Sequence, residues 1–277
     1  MYVFALSQNK NQLRQSAYYH LELFMTILRQ QLSDHLNQLL QVSLFNDYCD
    51  NGLQVEGADR ISKIVLGVTA SQALLDKAIE RQAQAVIVHH GYFWRSESAA
   101  IVGMKQRRIK SLLVNDINLW AFHLPLDCHA QLGNNAQLGQ LLGWPVAGYL
   151  TGDGPTGLGL WSELAVAQSG EQVAQFLEQC LGRKVLHIAP DRRPIRRIGW
   201  CTGGAQGYID KAIDLGLDAY VSGEISEATV HSARENGIHY FAAGHHATER
   251  GGVQALARHL QAELGLDCEF IDVDNPA

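Results

Sequence analysis

The sequence predicts an α/β protein. Two interlinked β-α-β-α-β halves carry mostly parallel sheets, with a smaller inserted α/β unit between them. Three observations lead there. Short β-branched runs alternate with helical patterns, an order that needs parallel strands joined by crossovers. The pattern occurs twice: Ile64-Val65-Leu66-Gly67 is echoed by Ile198-Gly199-Trp200-Cys201, and Asp76-Lys77-Ala78-Ile79 by Asp210-Lys211-Ala212-Ile213 at the same offset. The chain also has 277 residues, 47% of them hydrophobic, enough for a large core.

In chain order, residues 1–24 form an extension with no assigned function, expected to be disordered. They make a poor signal peptide, because no basic segment precedes the apolar start. The first half spans 25–145. Phe24, Leu28, Leu32, Leu36, Leu39 and Leu40 recur at helical spacing within 21–42. Asp50-Asn51-Gly52 marks a turn. Strands are expected over 64–68, 86–88 and 117–122. Helices are expected from Ser71 through 82, over 104–114 and over 134–142. The glycine-rich stretch 148–159 reads as a loop or boundary. The inserted unit, 146–194, then offers a strand (158–164), a helix (172–181) and a strand (185–189). The second half spans 195–277 and ends in a helix carrying Val253, Leu256, Ala257, Leu260 and Leu264.

Composition narrows the function classes. No run of about 18 apolar residues exists, so no membrane span is expected. A net charge of −6 argues against a general nucleic-acid binder. The five cysteines are scattered with no C-x-x-C pair, which fits a reducing, cytoplasmic setting. Two basic runs, Lys105 to Lys110 and Arg192 to Arg197, read as solvated surface.

Chemistry-bearing residues gather where strands are expected to end, the usual place for ligands in α/β folds. Three clusters stand there: His89-His90, His123 with Asp127, and His245-His246 with Glu249. Imidazole and carboxylate together suit divalent transition metals, and the groups exceed one tetrahedral site. His245 and Glu249 share a face if their segment is helical. The repeat aligns His89-His90 with Gly223-Glu224, so the halves are not equivalent. Glu224 reads as a general base, a substrate contact or an acidic residue opening a helix. Cys128, His129 and His187 are weaker candidates, and His231 and His239 could support a site from behind. Thr202-Gly203-Gly204-Ala205-Gln206-Gly207 reads equally as a phosphate cradle or a tight β-α turn.

Asn51-Gly52-Leu53-Gln54-Val55-Glu56-Gly57, Val88-His89-His90-Gly91-Tyr92-Phe93-Trp94 and the run from Ala243 through His245-His246 and Glu249 to Gly252 resemble the YbgI-type dinuclear metal-centre family. Its members are often labelled GTP cyclohydrolase 1 type 2 homologues. The resemblance covers residue 25 onward. It implies a toroidal homo-hexamer with metal pairs facing an interior cavity. By position it implies His89, His90, Asp127, His245 and Glu249 as ligands to two divalent ions (Zn, Fe, Mn or Ni). Two departures stand out: Gly91 where many relatives have proline, and Leu124-Pro125 where many have Thr-Asn.

The resulting expectation is a metal-dependent hydrolase acting on a nucleotide or related small molecule. His123, His246 and Glu224 are the candidates for moving protons. Alternatives are a non-enzymatic metal-trafficking or regulatory ring, and processing of damaged nucleic acid.

Overall fold

The computed structural model describes residues 26–277. The extension over 1–24, the first residues of the helix expected over 21–42, and His20 lie outside them. In chain order the elements are β1 (Ile27–Leu28), α1 (Arg29–Leu39), β2 (Gly52–Val55), β3 (Arg60–Ile61), β4 (Lys63–Thr69), α2 (Gln72–Glu80), β5 (Ala85–His90), α3 (Gly103–Val114), β6 (Asn118–Ala121), α4 (Leu124–Cys128) and α5 (Asn134–Leu141). They continue as β7 (Gly148–Thr151), β8 (Leu158–Gln168), α6 (Gly170–Leu181), β9 (Leu186–Ile188), β10 (Ile195–Cys201), α7 (Ile209–Asp214), β11 (Ala219–Ser222), α8 (Glu227–Asn236), β12 (His239–Ala242), α9 (His245–Leu264) and β13 (Asp267–Phe270).

Two mixed sheets result, as the repeat predicts. The first has the order β13-β4-β5-β6-β2 and the second β7-β8-β10-β11-β12-β9. Within them β4, β5 and β6 run parallel, and so do β10, β11 and β12. The equivalence extends to register. Val86 faces Val65 and Leu119 in one sheet, and Tyr220 faces Gly199 and Tyr240 in the other.

Local chemistry explains the helices. Ser71, Ser169 and Ser226 each cap a helix by accepting a backbone N–H, which satisfies a donor the helix leaves unpaired. Leu74, Leu75 and Ala78 of α2 are wholly buried against the first sheet. Burying a leucine this way contributes roughly 1.5–3 kcal/mol.

Three features depart from the local reading. Residues 148–151 are strand β7, not loop, and pair with β8. The strands of segment 146–194 join the second sheet, β7 and β8 at one edge and β9 at the other. Strand β13, from the end of the chain, adds to the first sheet parallel to β4.

Helix α9 ties the halves together. It starts just beyond β12, and its Val253, Leu256 and Leu260 are buried with Leu36, Ile64 and Trp120 beneath the first sheet. The glycine pair does not break it. At Gly252 a Cβ would fall 2.5 Å from Asn134 Oδ1, so glycine lets α5 approach. Packing outweighs the roughly 1 kcal/mol helix penalty of glycine. Among the described residues no helix is long and apolar enough to cross a membrane.

Candidate metal centre

The parallel strands of both sheets deliver their carboxyl ends to one cleft. β5 ends in His89-His90, and β6 leads through Phe122 to His123. The next turn is the short helix α4, invisible to periodicity, which places Asp127 one turn beyond His123. From the other half, β10 leads to Thr202, β11 to Glu224, and β12 to the first turn of α9 with His245 and Glu249.

Glu249 is the hub. Its Oε1 lies 3.4 Å from His89 Nε2, which is itself 3.5 Å from Asp127 Oδ1. Its Oε2 lies 3.3 Å from His90 Nε2 and 3.1 Å from His245 Nε2. Of four groups with metal-ligand geometry among the described residues, two share the Glu249 carboxylate (His89, Asp127 and Glu249; His90, His245 and Glu249), and two share His123 (with His89 and His90; with Asp47 and Cys49).

Hydrogen bonds fix which nitrogen faces inward. His89 Nδ1 is 2.9 Å from the Phe122 carbonyl, and His245 Nδ1 is 2.7 Å from Glu224 Oε1. A carbonyl or carboxylate only accepts, so each Nδ1 carries the proton. In the neutral imidazole each Nε2 is then a lone pair aimed at Glu249. Such backing of a ligand histidine is the usual arrangement at metal sites. His90 Nδ1 contacts Thr69 Oγ1 at 3.2 Å.

Lone pairs facing carboxylates at a buried position call for a positive charge between them, a proton or a metal ion. His89 and Glu249 are 0% and 3% exposed, and His89 Nε2 and Glu249 Oε2 have no hydrogen-bond partner. Leaving such charges uncompensated costs several kcal/mol. The charges in the site set up the same conflict. Burial lowers the His89 pKa, but Asp127 and Glu249 outweigh it and push it up to about 10. Burial and the neighbouring His89 push His90 down to about 3, leaving it neutral. Burial also opposes ionisation of Glu249, yet His89 and His90 hold its carboxyl well below the usual range. The donor set fits two divalent transition ions.

The surrounding shell is specific. Asp127 Oδ1 accepts from Asn134 Nδ2 at 2.9 Å. Asn135 Oδ1 accepts the Thr202 N–H from the second half at 3.1 Å. Gly203, at φ +67°, presses its backbone against Glu249 so closely that a Cβ would strike the carboxylate. Its N–H donates to Thr248 Oγ1 at 3.0 Å, so the Thr202 to Gly207 turn uses that donor to seat Glu249. Gly223 explains why the second half has no histidine pair. A Cβ there would lie 2.6 Å from the Cα of His245. Gly91 admits Gln54, whose side chain clamps the Tyr92 backbone at 2.7 and 2.9 Å.

Of the proton-moving candidates, His123 stands at the cavity wall. Its Nδ1 is 2.8 Å from Asp47 Oδ1, and its ring centroid is 5.1 Å from that of His89. Burial opposes ionisation of Asp47, but hydrogen bonds from His123 and Asn51 hold its pKa at about 2. Asp47 escaped the sequence reading. It lies in an irregular segment, and its contact with His123 spans 76 residues. Glu224 positions His245. His246 is not brought to the cluster. One residue along α9 turns its ring toward Asp272, at 2.7 Å. His187 and His239 pair with each other at 3.0 Å, at the opposite end of β12.

A cavity of about 590 Å³ opens over the cluster, lined by His90, His123, Asp127, His245 and Glu249 among others.

Comparison with known proteins places this geometry in context. A family model described as Duf34/NIF3 (NGG1p interacting factor 3) matches residues 27–276. A Vibrio cholerae protein named GTP cyclohydrolase 1 type 2 homolog is 55% identical over 248 residues, covering 89% of this chain and 98% of that protein. Its Escherichia coli K12 namesake is 53% identical over 249 residues, covering 89% and 98%. Among solved structures, protein ybgI, described as of unknown function, superposes with a TM-score of 0.87 at 51% identity, covering 91% of this chain and all of that one. The Thermus thermophilus protein TTHA1606 gives 0.79 at 33% identity, covering 91% and 100%.

Proposed function

The chain belongs to the Duf34/NIF3 family, and on that premise we propose that it is a dinuclear-metal-dependent hydrolase acting on a nucleotide or related small molecule. The observation that carries the proposal is the sharing of Glu249 by two three-residue ligand sets beside an open cavity. His89, Asp127 and Glu249 Oε1 would hold one ion, and His90, His245 and Glu249 Oε2 the other. When bound, such ions supply Lewis acidity toward a water and a carbonyl-like or phosphoryl centre.

The chain's own groups do the rest. His123 accepts or delivers a proton at Nε2, on the cavity side. The ionised Asp47 behind it holds the Nδ1 proton and stabilises the charged ring. Glu224 orients His245. Enzymatic use is supported over metal carriage because each set offers three protein atoms and opens on the cavity, whereas closed four-ligand sites are structural. A homo-hexameric ring is part of the proposal. Light scattering tests it at six times the 30.6 kDa of one chain.

The deciding experiment is a screen of metal-replete protein against nucleotides and phosphoesters, with elemental analysis alongside. Turnover that disappears with the metals, and in His123→Ala with metals retained, is expected. A protein holding both ions and turning over none of them would sink the hydrolase reading.

A further inference from the structure

The cavity over the metal cluster has a composition that bears on its ligand. One wall is aromatic. Tyr48 stands against His123 with ring centroids 6.4 Å apart, and Trp94 stands edge-on to the same ring at 5.0 Å. Tyr208, Ala205 and Leu158 contribute on other sides. No lysine or arginine lines it among the described residues.

Among the described residues, basic groups on the neighbouring segments are engaged or set back from the cavity. Arg196 and Arg197 sit at the start of β10, whose far end, Cys201, reaches the cavity. Four or five residues of strand separate them from it by about 13–17 Å. Lys105 pairs with Glu97 at 3.4 Å and lies over Phe93. Arg95 follows Trp94, but it lines a separate depression and donates to Asn46.

A triphosphate would therefore enter a site whose walls offer its charges no protein cation. Proteins that bind polyphosphates surround them with lysine, arginine or a helix N-terminus. Helices α4 and α9 do begin at the cavity, but α4 carries Asp127 in its first turn, and in α9 the His246 N–H already donates to the Ala277 carbonyl while Glu249 follows at the fifth residue, so carboxylates stand where a phosphate would dock. A planar heterocycle, by contrast, finds rings to stack on and the His123 imidazole to hydrogen-bond.

We infer that this site takes an uncharged planar heteroaromatic compound, of the nucleobase or nucleoside class, and not a nucleoside triphosphate. The aromatic side chains Tyr48, Trp94 and Tyr208 set that specificity. The inference rests on the hydrolase reading for the identity of the site. Its test reads binding alone, so the two can fail separately: a screen without turnover leaves the binding result standing, and turnover of a polyanion with no heterocycle bound removes only this inference.

The test is calorimetric titration of the metal-replete protein with guanosine and with GTP, with magnesium present to satisfy the nucleotide's own demand for metal. Guanosine is expected to bind within about ten-fold of GTP or more tightly. Tyr48→Ala and Tyr208→Ala are each expected to weaken guanosine by about ten-fold, the order of magnitude for one base–aromatic contact. The corresponding Phe variants, which keep the ring, retain the affinity and exclude misfolding as the cause. GTP binding more than ten-fold tighter than guanosine, no guanosine binding, or unchanged affinity in both alanine variants overturns the inference.

Discussion

Glu224 Oε1 stands 2.7 Å from His245 Nδ1, on the ring edge opposite the nitrogen that meets Glu249. An exposed carboxylate of the second half thus fixes the direction of the lone pair on a half-buried histidine. Losing such a backing group typically costs 10–100-fold in metal affinity. Glu224→Gln is expected to weaken one ion by roughly that factor and leave the other unchanged. Competition against a chelator of known affinity measures it, and equal weakening of both ions would contradict the assignment.

The shared carboxylate gives a sharper result. Elemental analysis of chelator-free protein should find close to two divalent ions per chain. Asp127→Ala should lose one ion and Glu249→Ala both, because Asp127 belongs to one ligand set and Glu249 to both. Retention of two ions in Glu249→Ala would show that the centre is built otherwise.

Asp47 holds His123 in one tautomer. Asp47→Asn leaves one accepting oxygen where two now serve His123, Asn51 and the Leu124 N–H, so the amide nitrogen competes for the place facing the Nδ1 proton. Turnover is expected to fall by about 10²–10⁴-fold, the range for a displaced acid–base group, with metal content unchanged. Nitrogen-15 spectra of the His123 ring should show the Nδ1–H form in the wild type and a mixture in the variant. A wild-type ring protonated at Nε2 alone would refute the dyad.

Gly203 has no room for a side chain. A methyl group there meets Glu249 and forces a positive φ on a residue that resists it. Gly203→Ala is expected to destabilise the fold by about 1–3 kcal/mol and to lower metal content, as read from denaturant midpoints and elemental analysis. Normal stability with two bound ions would show that the turn shifts freely.

Acid sensitivity has a source remote from the cluster. His35 of α1 stacks on His259 of α9 with ring centroids 5.7 Å apart. Burial, then His259, push the His35 pKa below its ordinary 6.5. Unfolding therefore takes up a proton there, and the neutral ring's contribution is present above pH 6.5 and lost as pH falls below it. The denaturant midpoint should drop between pH 7.5 and 5.5, and drop less in His35→Gln. Parallel slopes would exclude this pair as the cause.

Most of the architecture was legible because its signals are local. β-branched runs, serine caps and a repeated Asp-Lys-Ala-Ile mark elements without reference to anything distant. His89, His90, Asp127, His245 and Glu249 drew attention because polar groups at predicted strand ends are unusual, and the structure brings their ligand atoms within reach of one another. Other parts rest on contacts between remote segments. Asp47 meets His123 across 76 residues, and Asn134 meets Gly252 across 118. β7 hid in a glycine-rich stretch because its partner β8, rather than its composition, makes it a strand. His245 and His246 differ by about 100° of helical rotation. Only the start of α9, which Gly251-Gly252 obscured, decides which of them faces the cleft.

The path of α9 into β13 has a thermodynamic corollary. The last strand is paired into the first sheet, while the helix before it begins in the second half. If α9 stayed with the second half, separating the halves would strip β13 from β4 and expose the core that α9 shares with the first sheet. Ions held by His89 and Asp127 on one side and His245 on the other would stabilise that closure by mass action. Loading should raise the melting temperature of both sheets together, as one calorimetric transition. Protease should find no cut that releases either half intact, and chelation should loosen the whole chain as a unit.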